Sequence, residues 1–129
     1  RQQGYPAVFL ERNTFTTEAQ RVVFEKAYQA GVTLLYGTDA GVLPHNMGGW
    51  QFTTMVERGM SPMDAIRSAT SVAAEHLGLD SNIGVISSGK VADLIAVRGN
   101  PVENPNTLRA VDVVIKNGLL IKTSTALPQ

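Results

Sequence analysis

The chain has 129 residues, and its 11 Lys and Arg balance 11 Asp and Glu, so the formal net charge is zero. This balance argues against a nucleic-acid binder, which normally carries a basic surplus, and against a polybasic membrane-surface protein. The absence of cysteine excludes disulfides, cysteine-ligated zinc and a thiol nucleophile. The sequence shows no apolar run of about 18 residues and no signal peptide, so no membrane span is expected.

The first third of the chain predicts one helix and one strand. Residues 1–15 predict a loop with at most one short strand. Thr17 followed three residues later by Gln20 fits a capping box, and Gly31 is placed to end a helix, so the helix is predicted over 18–30. Residues 32–36 form a continuous β-prone run, typical of a parallel strand covered on both faces.

The middle of the chain predicts three short helices. The first is expected over residues 50–57, after a loop rich in glycine. Ser61 is a strong cap for the second, since a proline follows at its first position. Thr70 or Ser71 is expected to cap the third.

From Ile83 onward the pattern changes to strands and turns. Strands are predicted over residues 91–97, 111–116 and 119–122. Asn117-Gly118 is a strong two-residue hairpin signal between the last two strands. Asp93 is interpreted as a side chain that pins a turn or a neighbouring strand. The change of character predicts a domain boundary near residues 81–84.

Asp39 is the best candidate for chemistry. It follows the predicted strand and lies between Gly37 and Gly41. In α/β folds, catalytic groups gather at the carboxyl ends of strands. A carboxylate there can bind a metal or act as a general base, and a turn Asp bonded to its own backbone is an equal alternative.

The other candidates carry weaker signals. His45 can contact a substrate or a metal, although a surface role is more common, and His76 near a helix end is interpreted as structural. Two histidines without His-x-His or His-Glu-x-x-His spacing do not make a metal site. Trp50 either packs in the core or walls a pocket beside the loop. The glycine and lysine pattern over 84–90 is not a phosphate loop, because a strand follows it, and Gly89-Lys90 is interpreted as a turn before that strand.

Four segments, in their order and spacing, resemble the C-terminal part of the metal-dependent amidohydrolase superfamily. They are GVTLLYGTDAGVLPH, GMSPMDAIRSATSVAAEHLGL, IGVISSGKVADLIAVRGNPVEN and VDVVIKNGLLI. Within it, the chain looks most like imidazolonepropionase-related and prolidase-like dipeptidases. The resemblance implies an α/β fold in which residues 1–82 are the last strand and helices of a (β/α)8 TIM-type barrel. Residues 83–129 are then the C-terminal strands of a small β-sandwich.

The resemblance also implies an activity and its residues. It implies hydrolysis of amide bonds in small peptides, with a divalent metal, zinc in one or two ions, as cofactor. Asp39 matches the aspartate that contacts the metal and exchanges a proton with the hydrolytic water. His45 matches a histidine with a substrate-pocket role. Asn46 stands where the family usually has a glycine.

The remaining metal ligands of the family match nothing in this sequence. A complete barrel needs about 200 residues or more. We therefore expect a fragment that is inactive alone, with the rest of the barrel on the same or another chain. Assembly of the complete protein into a homo-oligomer is compatible with this expectation. The alternatives are a non-catalytic subunit that needs a partner chain, an imidazolonepropionase-like cyclic-amide hydrolase, and a stand-alone α+β binding domain. The sequence leaves the substrate and the compartment open.

Overall fold

The computed structural model describes residues 7–40 and 44–124, with side chains from Thr17 onward except that of His45. It divides into two compact units, Arg1–Thr33 and Leu34–Gln129. No helix in the described part of the chain is long and apolar enough to cross a membrane.

Helix α1 runs from Ala7 to Gln29 and is longer than the sequence predicts. The predicted loop over residues 1–15 is therefore wrong from residue 7 onward. Residues 7–30 contain neither glycine nor proline, so nothing interrupts the helix, and the capping-box pattern lies in its interior. The predicted end is confirmed. Gly31 has a φ of +75°, and the Val32 N–H bonds back to the Ala27 carbonyl at 3.0 Å in a Schellman motif.

The strand predicted over residues 32–36 is not formed. Residues 32–39 form no regular element, and the Tyr36 N–H donates to the Ser68 carbonyl at 3.1 Å. A parallel strand exists only when it pairs with neighbours. The described residues contain no parallel strand that could pair with this one.

Three short helices follow, close to the predicted places. They are α2 (Gly49–Glu57), α3 (Pro62–Ser68) and α4 (Ser71–His76). The predicted cap of α3 is confirmed, because the Ser61 hydroxyl accepts from the Asp64 N–H at 3.1 Å. Thr70 precedes α4 but does not cap it, since its hydroxyl donates to the Ile66 carbonyl at 2.8 Å. The buried apolar residues of the described chain are Met55, Met60, Ala65, Ala74 and Leu108.

The C-terminal part forms a three-stranded antiparallel sheet in the order β1-β2-β3. The strands are β1 (Leu94–Val97), β2 (Val111–Lys116) and β3 (Leu119–Thr123). Strand β1 is shorter than the predicted 91–97, and β2 has the predicted bounds. Asn117 and Gly118 have φ angles of 51° and 76°, so the predicted hairpin turn is of type I′.

Asp93 pins this turn from the start of β1. Its carboxylate accepts from the Asn117 N–H at 2.8 Å and pairs with the Lys116 ammonium. The helices and the sheet together make a small α/β piece. The predicted division into domains 1–82 and 83–129 stays a prediction.

Candidate functional site

Asp39 lies in the irregular segment that follows α1. Its φ of 47° is in the left-handed region, which few residues other than glycine adopt, although Asp is among those that tolerate it. The residue is exposed to solvent. A carboxylate held in an uncommon backbone conformation on the surface is a reasonable candidate for a functional group.

Tyr36 attaches this segment to the start of α2. Its hydroxyl donates to the Gly48 carbonyl at 2.8 Å, and its ring stacks on Phe52 with centroids 4.7 Å apart. Burial raises the pKa of the Tyr36 phenol, so the hydroxyl stays protonated and remains a donor. The Tyr36 N–H also donates to the Ser68 carbonyl at the end of α3. Tyr36, three residues before Asp39, is therefore attached both to the α2 region and to α3.

A pocket of about 170 Å³ lies between the flanks of Asp39 and the first turns of α2. Its lining residues are Thr38, Ala40, Pro44, Met47, Gly48, Trp50, Gln51 and Thr54. Thr38 and Ala40 are the two neighbours of Asp39, and Pro44 immediately precedes His45. The pocket is therefore lined both by neighbours of Asp39 and by the neighbour of His45, the two residues that the sequence predicts to be functional.

Trp50 walls this pocket, as one of its two predicted roles requires. It is 49% exposed and so is not a core residue. The guanidinium carbon of Arg109 lies 3.7 Å from the centre of a Trp50 ring, within the range of a cation–π contact. Arg109, 59 residues further along the chain, thus covers one ring of the Trp50 indole.

Arg109 is placed by the 3-10 helix Pro105–Arg109, which packs on α2. Gly49 permits this approach, because a Cβ there would lie 2.2 Å from the Leu108 carbonyl oxygen. The Thr53 hydroxyl donates to the Asn106 side-chain oxygen at 3.4 Å. Leu108 is buried at the same contact.

His45 begins a short 3-10 helix, His45–Met47, at the rim of the pocket. Its side chain lies outside the described residues, so its substrate role stays a prediction. His76 is exposed at the end of α4.

The described residues do not make a metal site by themselves. Within them, no three His, Cys, Asp or Glu side chains are grouped so that they could hold an ion. Asp39 can offer one carboxylate, and any further ligands must come from outside the described residues. The metal role of Asp39 also stays a prediction.

Sequence reasoning missed two contributors to the site. Tyr36 ends the apolar run and precedes Asp39 by three residues, which is a local signal that could have identified it. Arg109 carries no such signal, because its contact with Trp50 depends on the packing of two segments far apart in the chain.

The profile described as the amidohydrolase family matches residues 9–121 of this chain. Ochratoxinase from Aspergillus niger is 36% identical over 104 residues, which are 77% of this chain and 21% of that protein. Adenine deaminase 4 from Rhizobium meliloti is 32% identical over 81% of this chain and 17% of its own length. A crystal structure of a Xaa-Pro dipeptidase with bound methionine in the active site is 51% identical, with a TM-score of 0.77 over 79% of this chain. The chain spans about a fifth of ochratoxinase and 25% of that dipeptidase.

Proposed function

Because the chain belongs to the amidohydrolase family, we propose that it is the C-terminal part of a metal-dependent hydrolase that cleaves amide bonds of small peptides. A dipeptidase of prolidase type is the specific form of this proposal. The 51% identity with a Xaa-Pro dipeptidase supports that choice over ochratoxinase at 36% and adenine deaminase 4 at 32%.

One observation carries the proposal. The family match spans both Asp39 and His45, and the residues beside both of them line one pocket. A carboxylate next to a pocket is an arrangement that suits a peptide hydrolase. The pocket can hold a side chain of the substrate while the carbonyl carbon of the scissile amide faces the carboxylate.

Asp39 acts in this proposal as a metal contact and a proton shuttle. Its carboxylate accepts a proton from the hydrolytic water as that water attacks the amide carbon, and then donates it to the leaving nitrogen. A divalent metal such as zinc, when bound, supplies the lowered pKa of that water. The contacts of Tyr36 hold the backbone three residues before Asp39 and so help to place its carboxylate.

In this proposal, the rest of the site belongs to residues outside the described part of the chain. In this proposal, the remaining metal ligands and barrel strands lie on the same longer chain or on a partner chain. His45 contacts the substrate at the pocket rim. The C-terminal sheet belongs to the small β-sandwich implied by the family resemblance.

The test is the Asp39→Asn substitution in the full-length enzyme. We expect the initial rate on Xaa-Pro dipeptides to fall by at least about 100-fold, because general acid–base catalysis contributes on that scale. Circular dichroism is expected to stay unchanged, since the residue is exposed and the amide has nearly the same shape. Elemental analysis of the bound metal would be made on both proteins.

The matched control is Asp80→Asn, which changes another exposed carboxylate outside the pocket. It is expected to keep the wild-type rate. Near-normal turnover in the Asp39→Asn enzyme would sink the assignment of Asp39. A full-length protein without bound metal and without activity on any amide would instead favour a non-catalytic subunit.

A further inference from the structure

The pocket beside Asp39 has a composition that restricts what it can bind. Its described lining holds no charged side chain; it combines Met47, Trp50 and Ala40 with small polar groups. The Thr54 hydroxyl already donates to the Trp50 carbonyl at 3.2 Å within α2. An ionised group that enters such a pocket loses water and gains no opposite charge from the described lining, which is unfavourable.

The indole of Trp50 is held at an orientation that fixes one wall of the pocket. Arg109 covers its ring at 3.7 Å. The Arg109 Nε is buried and has no hydrogen-bond partner among the described residues, and the guanidinium contacts the Trp50 ring. Because Gly49 lets the 3-10 helix Pro105–Arg109 approach α2 closely, Arg109 has a defined backbone place.

From this geometry we infer that the pocket is a specificity site for an uncharged, apolar substrate side chain, and that Trp50, oriented by Arg109, sets its size. The inference rests on the proposed peptide hydrolysis. A volume of about 170 Å³ beside Asp39 has room for one side chain of the size of leucine or methionine. Trp50 is the specificity-determining residue, and Arg109 is a positioning residue that acts through it.

The experiment uses the full-length enzyme and a series of dipeptides Xaa-Pro, with Gly, Ala, Leu, Met, Asp and Lys as the first residue. We expect kcat/KM for Leu-Pro and Met-Pro to exceed that for Asp-Pro and Lys-Pro by at least about tenfold, the scale of burying an unpaired charge. In Trp50→Ala, the preference for Leu-Pro over Gly-Pro is expected to fall by about tenfold. The rate on Gly-Pro, which has no side chain to reach the wall, is expected to fall less than the rate on Leu-Pro, so the ratio of the two rates is the readout.

Arg109→Met tests the positioning role, because methionine keeps an unbranched apolar stem and removes the charge. It is expected to reduce the same preference in the direction of Trp50→Ala, mainly through KM. Arg67→Met is the matched control. Arg67 is an exposed arginine of α3 that pairs with Asp64, and its substitution is expected to leave the preference unchanged.

The outcomes separate this inference from the proposed function. Hydrolysis with equal rates on charged and apolar substrates, or a preference that Trp50→Ala leaves unchanged, overturns the specificity site alone. If no dipeptide is hydrolysed, the proposed function fails. Calorimetric binding of Nα-acetylmethionine amide and Nα-acetyllysine amide then tests whether the pocket accepts an apolar side chain and rejects a charged one. The specificity site is supported if the methionine derivative binds, binds more weakly to Trp50→Ala, and the Nα-acetyllysine amide does not bind. It is overturned if neither amide binds.

Discussion

At the scale of single residues, the site depends on how a short irregular segment is held. Asp39 has a left-handed backbone, and three residues earlier Tyr36 bonds to Gly48 and stacks on Phe52. A catalytic group displaced by about 1 Å can lose on the order of 100-fold in rate. Removing the Tyr36 hydroxyl therefore offers a way to shift Asp39 without substituting Asp39 itself.

We predict that Tyr36→Phe in the full-length enzyme lowers kcat on dipeptides by about tenfold and changes KM little. Phenylalanine keeps the ring stack on Phe52 and removes the donor to the Gly48 carbonyl, so the segment before Asp39 loosens while its ring stays against α2. The cost in folding free energy is expected to be about 1 kcal/mol, that of one hydrogen bond. Steady-state kinetics and denaturant titration measure the two effects.

Tyr28→Phe is the matched control for this prediction. Tyr28 belongs to α1 and not to the segment that carries Asp39. Unchanged kcat in Tyr36→Phe, or an equal loss in Tyr28→Phe, would contradict a role for Tyr36 in placing Asp39.

At the scale of elements, the turn of the β2–β3 hairpin is bound by the carboxylate of Asp93, which lies just before β1. The Asp93 side chain accepts from the Asn117 N–H and pairs with Lys116, and the Gly118 N–H donates to the Ala92 carbonyl at 3.0 Å. The hydrogen bond from Lys116, followed by that from Asn117, lowers the pKa of the Asp93 carboxyl. The ionised form is thus the one that stabilises the turn.

We predict that Asp93→Ala raises the hydrogen-exchange rate of the Asn117 amide by roughly three- to tenfold at neutral pH, because an exposed charge-assisted bond is lost. In the wild type, a lowered folded-state pKa means that the carboxylate's contribution is complete above the ordinary Asp pKa, about 3.9. This contribution is lost as the pH falls from there through the lowered value. Protection of Asn117, corrected for intrinsic rates, should follow that course.

The same substitution at Asp80 is the control for the hairpin. Asp80 accepts a bond from Lys90 through its backbone carbonyl, which alanine retains. Protection of Asn117 that does not change in Asp93→Ala, or that rises as the pH falls below about 3.9, is incompatible with the pin.

The elements that were predicted correctly carry their information locally. The Ser61 cap, the glycine end of α1 and the Asn117-Gly118 turn each depend on a few adjacent residues whose backbone preferences are strong. The errors have non-local causes. Residues 32–36 have the composition of a strand but no strand beside them in the described part of the chain. The early start of α1 follows from the absence of any helix breaker over residues 7–30, which outweighs a cap pattern.

For the candidate site, the pocket role of Trp50 was predictable from its proximity in sequence to the loop that follows Asp39. The catalytic role of Asp39 and the substrate role of His45 stay predictions. The Arg109 contact requires the approach of the 3-10 helix Pro105–Arg109 to Gly49, a packing fact that no local pattern contains. The metal role of Asp39 needs ligands that neither the sequence nor the described residues supply.

At the scale of the whole molecule, the described residues bury only a small core. In the part that the structure describes, five apolar residues are buried, two of them alanines, and no large side chain is completely covered. Several large apolar side chains are more than half exposed. They include Val23, Leu77, Ile86, Leu119 and Ile121. Apolar surface on this scale is typical of faces that contact other polypeptide.

We predict that the isolated 129-residue chain does not melt as a cooperative monomer. An ordinary 100-residue domain unfolds with an enthalpy of about 60–80 kcal/mol at its midpoint, and we expect less than half of that here, because so little apolar surface is removed from water. Differential scanning calorimetry on the isolated chain measures this, and the full-length enzyme in the same buffer is the control that should show a sharp transition. A sharp monomeric transition of ordinary enthalpy in the isolated chain would contradict the prediction. It would favour the stand-alone α+β domain, because a chain that folds alone does not need a completed barrel around residues 32–36.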